Sequence, residues 1–98
     1  MELRHLRYFV AVAEEKSFNK AAERLFISQP PLSRQIKQLE EEIGVTLIDR
    51  DNRPLKLTEA GEFFYDHALE IIKKSDDLRA MTFRKGSFDN TLSIGFVS

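Results

Sequence analysis

The chain has 98 residues, 15 of them basic and 16 acidic, giving a net charge of −1 with 42% hydrophobic residues and no cysteine. Such a composition suits one small soluble domain. It excludes a disulfide framework, thiolate chemistry and a uniformly basic nucleic-acid coat.

Leu3, Leu6, Phe9, Val10 and Ala13 recur three and four residues apart, which predicts a helix from Glu2 to about Glu15. The charged start "MELRHLRYFV" does not read as a signal peptide, and no apolar run approaches the ~18 residues of a membrane span. Ser17 is placed to cap a second, short helix with Phe18, Ala21, Ala22 and Leu25 turned inward. Lys20 stands at its third position, so a reciprocal capping box is not expected. The connection from Leu25 to Gln29 is tight, with Ile27 as its one apolar plug. Helices joined this closely cross steeply, as in a helix-turn-helix.

The third helix is expected from about Pro30 to Ile43, ended by Gly44. Proline is tolerated in a first turn, where its missing N–H needs no partner. Each proline also biases the residue before it toward extended backbone, which places Gln29 just outside the helix. With Leu32, Ile36, Leu39 and Ile43 inward, the outward residues of the first turns are Gln29, Pro30, Ser33, Arg34 and Lys37. No acid occurs from Arg24 to Leu39, and then Glu40, Glu41 and Glu42 follow together. Phosphates would be repelled by that second half, so only the first two turns suit DNA.

The segment "VTLIDRDNRPLKLT" alternates Val45 with Leu47 and Leu55 with Leu57 around the turn-forming Asp51-Asn52-Arg53-Pro54. This predicts a short hairpin, a wing attached to the helix-turn-helix. Thr58 then caps a long helix to about Phe83–Lys85, some 40 Å. Glu59 and Glu62 suit its first turn, and Gly61 is an early weak point. Its stripe of Ala60, Phe64, Ala68, Ile71, Leu78 and Met81 is too long to bury on residues 1–58. The far part is expected to pack against a second copy, through Phe64, Ala68, Ile71, Leu78 and Met81. Gly86, Ser87, Asp89 and Asn90 have linker chemistry. Leu92, Ile94 and Phe96 alternate as a strand would, with no pairing partner elsewhere in the chain.

The expected fold is therefore mainly α: a winged helix-turn-helix with a β-hairpin wing over residues 1–58, a linker helix over 59–85, and a hinge and strand over 86–98. Candidate DNA contacts on the third helix are Gln29, Pro30, Pro31, Ser33, Arg34 and Lys37. Arginine suits bidentate contact with guanine, glutamine suits adenine, and an apolar proline edge suits the thymine methyl. Lys37 suits a phosphate. Arg50, Asn52 and Arg53 are the wing's candidates, since a wing-tip arginine can enter a narrow minor groove or hold a phosphate. His5 and His67 have no partner at metal-ligand spacing, and the four scattered glycines form no phosphate loop. A winged-helix module that binds protein without DNA specificity is the alternative.

The residues from "MELRHLRYFVAVAEEKSFNKAAERLFISQPPLSRQIKQLEEEIGVTLIDR" through "KLTEAGEFFY" resemble the N-terminal domain of LysR-type bacterial transcription regulators. The pattern A-A-x-x-L-x-x-S-Q-P-x-L-S-x-Q-I-x-x-L-E from Ala21 to Glu40, with L-T-x-A-G from Leu57 to Gly61, carries the resemblance. "MELRHLRYF" and "QPPLSRQI" are closest to the branch that controls aromatic-compound degradation and responds to muconate-like acids. The resemblance implies a helix-turn-helix over residues 18–37 and a linker helix for dimers. It implies binding to imperfect palindromes in double-stranded DNA, usually as tetramers, and a cytoplasmic protein without a membrane. It implies no cofactor in this part of the chain; the small-molecule effector would sit in a C-terminal domain whose first strand begins at "LSIGFVS". It also carries DNA contacts to Gln29, Pro30, Pro31, Ser33, Arg34, Lys37 and Arg53. Many family members have alanine where Ser28 stands. Many helix-turn-helix proteins have glycine near the position of Phe26, so a different turn geometry is expected here.

Overall fold

The computed structural model describes the backbone of residues 1–93 and the side chains of residues 1–87. Its elements run α1 (Leu3–Glu15), α2 (Phe18–Leu25), α3 (Gln29–Ile43), β1 (Ile48–Asp49), β2 (Lys56–Leu57) and α4 (Glu59–Ser93). The strands pair antiparallel, Ile48 with Leu57 and Asp49 with Lys56. The expected winged helix-turn-helix with a long terminal helix is therefore the observed architecture.

Local chemistry sets most of the ends. The Ser17 hydroxyl accepts from the Lys20 N–H at 3.1 Å, capping α2. Gly44 ends α3 at φ 93°, a backbone region that glycine enters without penalty, and its N–H donates to the Glu40 carbonyl at 2.8 Å. The Thr58 hydroxyl accepts from the Gly61 N–H at 3.0 Å while donating to the Thr46 carbonyl at 2.7 Å. One side chain thus caps α4 and ties it to the start of the wing.

The α2–α3 turn corrects the sequence reading. Phe26 takes φ 59° and ψ 42°, the left-handed conformation that a glycine would occupy. The Ile27 N–H reaches the Ala22 carbonyl at 3.0 Å and the Phe26 N–H reaches that of Glu23 at 3.2 Å, a Schellman cap. The turn keeps its glycine-like geometry because these bonds, and the packing of Ile27 on the core, outweigh a strain of roughly 1–2 kcal/mol. The Phe26 ring is left 93% exposed.

Phe9, Val12, Leu32, Ile36, Leu39, Leu47 and Ile48 are the fully buried centre of the core. The hairpin alternation was misjudged in its first strand. Leu47 and Ile48 are both buried and Val45 is exposed, because the chain enters the core just before β1 rather than running along a flat sheet. Ile43 is likewise exposed at the end of α3. Helix α3 starts at Gln29, and Ser28 carries the extended backbone expected of Gln29. The pre-proline bias is a preference, and the burial of Leu32 and Ile36 sets the helix register over it.

The long helix carries two apolar stripes rather than one. Phe64, Ala68 and Ile72 pack on Leu3, Leu6 and Val10 of α1, with the Phe64 ring edge-on to Phe9 at 5.1 Å. Phe63, Ile71, Leu78 and Met81 are exposed. At 3.6 residues per turn these four fall within about a quarter-turn of one another. Phe64 and Ala68, expected in a dimer face, are thus consumed inside the domain. The helix also continues past the expected hinge to Ser93, since one glycine weakens a helix without ending it. Residues 94–98, where most of the expected strand falls, lie outside the described residues.

Gly61 is a point of closest approach rather than a weak point. It is buried, and a Cβ there would overlap the Leu47 carbonyl. Gly61→Ala should therefore cost roughly 1–3 kcal/mol of stability. Gly86→Ala meets nothing within 4 Å and should add helix without loss. Thermal melts of the two variants check this; an unaltered melt for Gly61→Ala would refute the close approach.

Candidate nucleic-acid interface

The outward side of α3 is built by elimination. Leu32, Ile36 and Leu39 are buried, which leaves Ser33, Arg34, Lys37 and Gln38 on the opposite side, while the Gln35 side chain is partly buried. Gln29, Pro30, Ser33, Arg34 and Lys37 line one hollow along this side, which ends at Gln38 and Glu41. A second hollow joins Gln29 and Ser33 to Arg50 and Arg53 of the wing and to Lys16, Ser17 and Asn19 at the start of α2. The two share Gln29 and Ser33, so helix and wing form one continuous face. Pro31 is half-buried and lines neither hollow, so the expected pair of prolines is separated. Pro30 alone presents an exposed apolar edge beside Gln29.

Charge pairing sorts the cations. Among the described residues Arg34 and Lys37 are exposed and make no ion pair or hydrogen bond. Arg7 is held by Asp76 at 2.7 Å. Arg24, the basic residue that opens the acid-free run, is held by Glu14 at 2.8 Å and Glu15 at 3.2 Å.

The acidic triplet also divides. Glu41 stays exposed at the end of the α3 face, and Glu42 takes the N-terminal amine at 2.7 Å. Glu40 was expected outward but is buried. Its carboxylate accepts from the N–H groups of Leu47 at 2.7 Å and Ile48 at 3.0 Å, and from Arg50 at 3.0 Å. The sequence signal for this was Arg50, ten residues on, but nothing in residue spacing links the two.

The wing candidates differ from their expected pose. The Arg50 guanidinium is turned inward onto Glu40 and lies over the Phe18 ring at 5.3 Å. Asn52 donates to the Asp49 carboxylate at 2.6 Å, and the Asp51 N–H reaches the same side chain at 3.0 Å. Both are turn-holding bonds, because the hairpin is too short to hold its own loop. Of the three candidates Arg53 is the exposed one, its guanidinium resting on the carbonyls of Arg50 at 2.9 Å and Asn52 at 3.1 Å.

Behind the face, Glu14 links three helices. It accepts from the Tyr65 hydroxyl at 2.6 Å on α4 and pairs with Arg24 on α2. The Tyr65 hydrogen bond, aided by Arg24, holds the Glu14 carboxyl below the usual carboxylate range against a smaller opposing effect of burial. The same bond pushes the Tyr65 hydroxyl up, and Glu14 also raises Arg24. His5 accepts from the Glu2 N–H at 3.2 Å at the start of α1, and His67 meets Glu70 at 3.2 Å beside the Phe63 ring.

This arrangement, a helix with unpaired cations beside a one-arginine wing, defines the class: a winged helix-turn-helix DNA-binding domain. The model of the bacterial regulatory helix-turn-helix proteins of the lysR family matches residues 3–62, and the chain belongs to that family. It is 57% identical over 97 residues to the transcriptional regulator BenM of Acinetobacter baylyi, covering 99% of this chain and 32% of BenM. It is 50% identical over 97 residues to the Hca operon transcriptional activator HcaR of Escherichia coli, covering 99% of this chain and 33% of that protein. The chain thus spans about a third of the length of these relatives. In structure it is similar to the BenM DNA-binding domain in its crystallised complex with catB site 1 DNA. That likeness has a TM-score of 0.89 at 56% identity, over 91% of this chain and 96% of that one.

Glu14 gives a pH test with a definite sign. A carboxylate whose folded pKa is depressed adds stability above its unfolded pKa, and loses it as pH falls through the folded value. Tyr65→Phe should raise the Glu14 midpoint in an NMR titration and flatten the acid loss of stability. The effect should stay within about 1 kcal/mol, because both Glu14 and Arg24 are more than a third exposed.

Proposed function

We propose that this chain is the DNA-reading part of a bacterial transcription regulator that binds an imperfect palindrome as a homodimer. The observation that carries this is the pair Arg34 and Lys37. Both are exposed and unpaired on the first turns of α3, beside Gln29, Pro30 and Ser33, whereas Arg7, Arg24 and Arg50 are each held by a carboxylate of the chain. A recognition helix entering the major groove by its N-terminal end uses this layout. Arg34 reads a guanine, Gln29 an adenine, Ser33 a base or phosphate, and Pro30 a thymine methyl. Lys37 neutralises a phosphate. Pro31 shapes the helix start rather than the contact. Arg53 reaches the minor groove or its phosphates from the wing.

The dimer forms through the exposed stripe of α4, with Ile71, Leu78 and Met81 facing a second copy and Phe63 at its near end. These are large apolar residues in one quarter-turn of a helix, which a lone domain would leave in water. Aromatic-compound catabolism genes are the proposed targets, on the resemblance of "MELRHLRYF" and "QPPLSRQI" to that branch of the family. The remaining two-thirds of the whole protein holds the effector site and supports tetramers, and the protein works in the cytoplasm. No catalytic role is proposed.

Arg34→Ala should cost roughly 1–3 kcal/mol at one operator position and little elsewhere. Binding of duplexes selected from random DNA, at several salt concentrations, checks this. A log-linear loss with salt is expected; a protein-only module would show no preferred sequence at any salt. Leu78→Asp should shift the chain from dimer to monomer in sedimentation, and an unchanged profile would exclude the stripe.

A further inference from the structure

The wing pairs only two residues on each strand, too few to fix its own position in water. Its place is set by what holds it from outside. Leu47 and Ile48 are buried, Thr58 ties back to Thr46, and the Leu55 N–H reaches the Lys16 carbonyl at 3.3 Å. The remaining anchor is Glu40 of α3, whose side chain is 9% exposed. One of its oxygens takes both the Leu47 and Ile48 N–H groups, and the other takes Arg50.

A buried ion pair is a poor source of stability, since an apolar pair of similar size often serves as well. What it supplies is direction. Donors before, within and after β1 converge on a single carboxylate carried by α3. Arg50 is enclosed in turn: it lies over Phe18, the first residue of α2, and its Nη2 is buried with no protein partner. The Arg50 side chain as a whole is 34% exposed, but its guanidinium is turned inward, with Nη1 on Glu40 and Nη2 buried. It nevertheless lies in the hollow that joins Gln29 and Ser33 to Arg53.

We propose that Glu40 and Arg50 are positioning residues for DNA recognition, locking the wing to α3 so that Arg53 and the recognition helix meet the duplex in one fixed relation. The inference rests on the DNA-binding reading above and replaces a direct DNA contact by Arg50 with an indirect one. Neither residue touches DNA. Losing their pair disconnects Arg53 from the α3 register while leaving the base preferences of Gln29 and Arg34 intact.

The test is a double-mutant cycle on this chain with its selected duplex, combining Glu40→Gln with Arg53→Ala, and Arg50→Gln with Arg53→Ala. In the native background Arg53→Ala is expected to weaken binding about tenfold; in either glutamine background it should change binding by less than about twofold. Additive losses in variants that remain folded would overturn the proposal. Should Glu40→Gln fail to fold, the Arg50→Gln cycle decides. Amide hydrogen exchange without DNA gives the second readout. Leu47 and Ile48 should exchange about tenfold faster or more in the variants, while Val12 and Ile36 keep their protection. Unchanged wing exchange would also overturn it. If the native chain binds no DNA, the interface reading fails, and the exchange result alone decides whether Glu40 and Arg50 hold the wing.

Discussion

One constraint underlies the rest: the complete burial of Leu32, Ile36 and Leu39. A helix has only one side to give to a core, so this burial dictates that Ser33, Arg34 and Lys37 point out. The same burial places the start of α3 against the α2 turn, where Ile27 closes the angle and Phe26 accepts an unfavourable backbone conformation. The contact face is thus the unburied remainder of a packed helix. Its rigidity comes from the side that never meets a ligand.

The wing is added to this helix by polar bonds rather than by a sheet of its own. Glu40 binds it from α3, Thr58 from the mouth of α4, and Gly61 lets α4 approach the Leu47 carbonyl without a side chain between. Recognition helix, wing and long helix therefore share one short stretch, Thr46 to Ile48. A displacement of any of them is felt there by the other two. In the proposed twofold dimer joined through α4, that stretch would set how the two α3 faces are held relative to the dimer axis.

Much of this was legible in residue patterns. The spacing of Leu6, Phe9 and Val10, the Ser17 and Thr58 caps and the stop at Gly44 are all local signals, and each appears where its chemistry placed it. The outward set on the first turns of α3 followed from helical periodicity, while the candidate contact Pro31 is half-buried. The failures share a cause. Glu40 looked like one of three solvent acids, Arg50 like a wing-tip cation and Arg24 like the first cation of an acid-free run. Each is instead claimed by partners at least seven positions away in sequence, and no periodicity records such partners. Phe64 and Ala68 failed similarly, since one helical stripe cannot reveal that it is divided between α1 and solvent.

Local sequence chemistry was sufficient for the element order, the caps, the double-proline entry to α3 and the kinds of side chain on the outward face of α3. These depend on neighbours within one or two helical turns, where the chain's own geometry enforces contact. Tertiary structure alone decided which charges are free and which are spent. That question turns on distances between α1, α2, α3, the wing and α4, and a charge is available to a ligand only when no such neighbour has already neutralised it. Arg34 and Arg50 are the same residue type sixteen positions apart. Packing leaves the first unpaired at the surface and turns the second inward onto Glu40.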